Sequence, residues 1–205
     1  MRSMRLVLVA LVIAALAISS CDKAPYGGEK ESALIAATAA HDVAKVRALL
    51  DSGANPNRMV KFEEGLYQSP WRQVLRQLRP KHPEDAAIVK AMLQAGADPA
   101  VAWGEGQALS RRRLHQDEPL LIVMMNPNAD VVRLLLDAGL KPQSGVVALV
   151  SAADAGEAGI VRMLVEAGVN VNGANGGRTP LLAAIERRDA KIMAYLEAHG
   201  ARERP

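Results

Sequence analysis

The stretch TPLLAAIERRDAKIMAYLEAHG, residues 179–200, decides how the chain is read. A hydroxyl residue and a proline open it, and a serine or threonine hydroxyl caps a helix while proline suits its first turn. Asp189 supplies a second capping side chain eight residues after Leu181. Gly200 follows an aliphatic stripe, the usual left-handed stop of a helix. These signals predict a helix, a turn, a second helix and a glycine stop.

The second half of that pattern recurs. VRALLDSGANPN from Val46, VKAMLQAGADPA from Val89, VRLLLDAGLKPQ from Val132, VRMLVEAGVNVN from Val161 and MAYLEAHGARER from Met193 each carry aliphatic residues at helical spacing and then a glycine. The glycines are Gly53, Gly96, Gly139, Gly168 and Gly200. Ser32-Ala33-Leu34, Glu118-Pro119-Leu120, Val147-Ala148-Leu149 and Thr179-Pro180-Leu181 stand 21 residues before four of them. Ser69-Pro70-Trp71 stands 27 residues before Gly96, so six residues are inserted, and RPKHPED between the two helices of that unit is their expected place. Asp42, Asp85, Asn128 and Asp189 are expected to cap the second helices.

This pattern resembles ankyrin repeats, units of about 33 residues with a turn and two antiparallel helices. The resemblance covers residues 32–205 and implies an all-α repeat solenoid of about five helix-turn-helix units: 32–68, 69–117, 118–146, 147–178 and 179–205. The histidine of the family's Thr-Pro-Leu-His is replaced by Ile35, Arg72, Leu121, Val150 and Leu182. The glycine spacings of 43, 43, 29 and 32 make the stack irregular. Glu197 replaces the aliphatic residue of the other units, as suits a terminal repeat whose outer face meets water.

The chain's start is a separate signal. Arg2 and Arg5 precede an apolar run, Leu6 to Ile18, of 13 residues. A membrane-spanning helix needs about 20, and a short run behind basic residues reads as a secretory signal. Ile18-Ser19-Ser20-Cys21 resembles the lipobox of bacterial lipoproteins. That resemblance implies cleavage after residue 20 and lipid on Cys21, the chain's one cysteine, with residues 21–31 as the lipidated cysteine and a flexible linker. The implied place is the cell envelope, lipid-anchored and facing the periplasm. Asp22 resembles an inner-membrane retention signal of enteric bacteria, yet 17 Arg against 8 Lys point away from the enterics, so both membranes stay open.

Arg2 and Arg5 fall in the leader and no acid does, so the remainder carries 23 basic against 22 acidic residues. With that balance the chain's basic pI is no argument for nucleic acid, and no nucleic-acid partner is expected. His41, His82, His115 and His199 lack ligand spacing, and neither Gly104-Glu105-Gly106 nor Ser110, His115 and Asp117 makes a catalytic motif. No catalytic residue, metal or cofactor is expected, and the chain reads as a non-enzyme.

The expected function is protein binding through the concave face of the stack and two long fingers. From Gly53 to Ser69 is 16 residues and from Gly96 to Glu118 is 22, where a regular repeat needs about 12. Phe62, Tyr67, Trp71 and Trp103 gather here, with Arg111, Arg112 and Arg113, and aromatic residues and arginine dominate binding hot spots. Trp71 stands at the motif leucine and is expected in the core. Phe62 and Tyr67 either cover the loop or meet a partner. Trp103 and the arginine run are the leading contact candidates and would steer an acidic partner. An adaptor for an envelope protein and an immunity protein that inhibits a toxic enzyme are the two roles this architecture suggests.

Overall fold

In the computed structural model, residues 28–61, 67–80, 82–100, 118–142 and 145–203 are described. They form an all-α repeat solenoid of ten helices in five pairs. The pairs are α1 (Glu29–Ala39) and α2 (Val43–Asp51); α3 (Pro70–Arg76) and α4 (Pro83–Gln94); α5 (Glu118–Met125) and α6 (Ala129–Asp137); α7 (Val146–Ala155) and α8 (Ala158–Glu166); and α9 (Pro180–Arg187) and α10 (Ala190–Ala198). The first helices pack in the order α1, α3, α5, α7, α9, and the second helices in the order α2, α4, α6, α8, α10. Two helical layers result, with the core between them.

Each second helix closes alike. Gly53, Gly96, Gly139, Gly168 and Gly200 all take φ between 87° and 93°. The residue after each glycine donates its N–H back to the preceding helix, as Leu140 does to the Leu135 carbonyl at 3.1 Å. That turn drops Ala54, Ala97, Leu140, Val169 and Ala201 back into the core. The sequence pattern of glycine followed by a small or aliphatic residue is therefore a packing device, repeated once per unit.

Capping side chains start the helices as the sequence suggests at five places. The Ser69 and Thr179 hydroxyls accept from the amides of Arg72 and Leu182, at 3.2 and 3.1 Å. Asp42, Asn128 and Asp189 accept from Lys45, Val131 and Ile192. Two expectations need correction. Helix α1 starts at Glu29, not after residue 31, because the Glu31 carboxylate reaches back to the Gly28 amide at 2.9 Å and stabilises the first turn. Ser32 thus lies inside α1. Asp85 does not cap α4, which begins at Pro83; it is buried within the first turn and serves the preceding loop instead.

Side chains also tie neighbouring units together in place of the missing motif histidine. The Asn57 amide donates to the Gly96 carbonyl at 2.8 Å, and its oxygen accepts from the Asp98 amide. Asn172 makes the same pair of bonds to Gly200 and Arg202. Their counterpart between the second and third units is Ala100, which cannot make either bond. Glu197 is exposed at the end of the stack, as a terminal unit requires. No described helix is long and apolar enough to cross a membrane.

Candidate functional site

Parts of two fingers, between the first and second units and between the fourth and fifth, are described. In the first finger, Val60–Lys61 pairs antiparallel with Tyr67–Gln68, with Lys61 opposite Tyr67. The Trp71 amide donates to the Pro56 carbonyl at 2.9 Å, which pins the finger base to α3. In the last finger, Gly176 and Gly177 take φ of 57° and 85° between Asn175 and Arg178, which exchange both backbone hydrogen bonds. This two-residue turn needs positive φ at both centres, so two glycines fit it.

Trp71 is buried, as expected from its place in the motif. Tyr67 lies in the short ribbon. Phe62, Trp103, Arg111, Arg112, Arg113 and Cys21 lie outside the described residues, as do Ser110, His115 and Asp117. Among the described residues no three histidine, cysteine or acidic side chains gather at metal-binding distance.

What the structure adds is a strip on the first-helix layer, on the side turned away from the second layer. Counting seven residues from the start of each unit reaches Ala39, Arg76, Met125, Asp154 and Glu186. All five are exposed, and their helices pack side by side. Met125 is 79 % exposed, against 40 % for Leu182, and the partly exposed Leu121 and Ile122 lie beside it on α5. At the far end of the strip Arg178 bridges Asp154 at 2.7 Å and Glu186 on the next helix, and Arg187 donates to the Asp154 carbonyl at 3.0 Å. The Arg178 hydrogen bond, aided by the charge of Arg187, holds the Asp154 carboxyl below the usual aspartate range. Arg178 also confirms the register, since it spans equivalent positions of α7 and α9.

A second polar cluster joins the first two units. Asp85 is fully buried. It accepts from the Arg79 guanidinium at 2.9 Å, from the Arg79 amide and, at 2.7 Å, pairs with Nδ1 of His41. His41 occupies a left-handed turn, φ 53°, between α1 and α2. Burial pushes the Asp85 carboxyl up, but the Arg79 guanidinium and amide and the charge of His41 outweigh it and hold it below its usual range. This cluster is structural: each of its groups points into the joint between units.

The strip was legible only by reading down the register across units, because Met125 alone looks like the end of the apolar run EPLLIVMM. The buried cluster carried no such signal, since Arg79, Asp85 and His41 are joined only by the inserted loop and the neighbouring unit.

No curated protein matches the chain. Residues 120–203 match the family model described as ankyrin repeats, in three copies, so ankyrin repeats, which indicate a protein–protein interaction module, are found over the last three units.

Proposed function

We propose that the chain is a non-catalytic adaptor of the bacterial cell envelope, tethered by lipid on Cys21 and binding another protein in the periplasm. The observation that carries the binding role is the exposed strip of a two-layer stack whose last three units match ankyrin repeats. Ile18-Ser19-Ser20-Cys21, behind a short apolar run, supports the tether. Phe62, Tyr67, Trp103 and Arg111 to Arg113 are the further partner-contact candidates of this reading. Several acyl carbons would anchor the chain firmly, since each buried methylene contributes about 0.8 kcal/mol.

Two assays test this. Labelled palmitate should enter the wild-type chain and not Cys21→Ala; label in the variant contradicts the tether. The tagged full chain, cross-linked in cells and purified, should retain a resident envelope protein at fixed stoichiometry. A retained enzyme that loses activity on binding would instead assign the immunity role. Substrate turnover by the purified chain, lost on one polar substitution, would contradict a non-catalytic module.

A further inference from the structure

The strip is not uniform along its length. At the α7–α9 end, Arg178 closes Asp154 and Glu186 into one hydrogen-bonded group. Arg178 can do this because it stands directly before Thr179. The residue in the same place before the fourth unit is Val146, which has no charge to span α5 and α7. Met125 therefore has no polar bridge across it. On its other side Arg76 is exposed and makes no ion pair among the described residues. The two acids nearest in sequence are engaged elsewhere: Glu84 faces the His82 ring at 3.3 Å, and Asp85 is buried and taken by Arg79 and His41. Among the described residues, Arg76 thus has no ion pair, and its helix packs against the one that carries their most exposed large apolar side chain.

Helices packed in one layer lie about 8–10 Å apart. Arg76 and Met125 end neighbouring packed helices, so that spacing separates their positions. A polyproline II segment is extended, advances about 3.1 Å per residue and has three residues per turn, so its side chains three residues apart share one face about 9 Å apart and would reach both.

We propose that the α3–α5 part of the strip docks an extended segment of the partner protein carrying an acidic side chain about three residues from a large apolar one. The carboxylate pairs with Arg76 and the apolar side chain covers Met125, with Leu121 and Ile122 beneath it. This rests on the protein-binding role proposed above and adds which units bind and what they recognise. An arginine beside a desolvated apolar anchor is the composition of a binding hot spot. The α7–α9 end is closed on itself and takes no share.

The test uses the full chain in mild detergent as bait for phage-displayed random 12-residue peptides. The expected consensus has Asp or Glu two to four positions from Leu, Ile, Met or Phe. Anisotropy of a labelled consensus peptide should then show about tenfold weaker binding to Met125→Glu and to Arg76→Glu, and unchanged binding to Lys191→Ala on the opposite layer. Changing the peptide's acid to lysine should restore binding to Arg76→Glu relative to wild type. Peptides unaffected by both strip variants but lost on Trp103→Ala or Arg112→Ala overturn this inference and leave the protein-binding role standing. A library that enriches nothing, joined with no retained protein in cells, contradicts both. Dimerisation of the chain that Met125→Glu abolishes would assign the strip to a second copy and overturn the inference.

Discussion

Two stretches of the first-helix layer use the same positions differently. At α7–α9 the strip residues Asp154 and Glu186 are bridged by Arg178 and spend their charge inside the molecule. At α3–α5 the equivalent Arg76 and Met125 face water. The joints between units differ in the opposite sense. The first two units share a buried carboxylate, Asp85, whereas the last two share an ion network in which every member is at least a third exposed. A buried carboxylate that loses its role leaves donors stranded, while an exposed network exchanges its partners for water. Equivalent places in a repeat therefore carry stability in one unit and recognition in another, and neighbours decide which.

Substitutions can break that comparison, beginning with the largest effect. Trp71→Ala should cost about 3–5 kcal/mol in denaturant unfolding, because it empties a core site of the second unit. Asp85→Ala should cost about 3 kcal/mol, since it strands the Arg79 amide and the His41 ring in a buried joint. The pH dependence has a definite sign. The Asp85 carboxyl lies below its usual value of 3.8 when folded. Its contribution is present above that value and is lost as the pH falls through the lowered one. The stability gap between wild type and Asp85→Asn should narrow in acid, as the pH falls through the lowered value. Thr179→Ala should cost about 1 kcal/mol as a lost helix cap. Arg178→Ala should cost the least of these four, and less still in high salt. A loss from Arg178→Ala equal to that from Asp85→Ala would erase the distinction drawn between the joints.

The stack itself was readable from sequence because its signals are local. Glycine stops, hydroxyl-proline starts and aliphatic spacing act within a few residues, and all five glycines take the left-handed turn expected of them. The start of α1 was misread because Glu31 caps the helix from inside its own first turn, back to Gly28. Asp85 was misread because a carboxylate near a helix start resembles a cap, and only the inserted loop shows which amide it serves. The strip needed three-dimensional register. Arg76, Met125 and Asp154 are 49 and 29 residues apart in sequence and become neighbours only through stacking of α3, α5 and α7. The candidates in the long fingers came from composition, and composition says nothing about which exposed side chains of the helices stand beside them.

The comparison rests most directly on separating binding from stability at these two stretches of the strip. Affinity for the partner retained in cells should be measured for Met125→Glu and Arg178→Ala together, each beside its unfolding curve. The expected result is that Met125→Glu weakens binding about tenfold with stability within about 0.5 kcal/mol of wild type, while Arg178→Ala leaves affinity unchanged. Unchanged affinity in Met125→Glu, with loss of binding in Arg178→Ala, would place recognition at the end described here as closed and contradict the account.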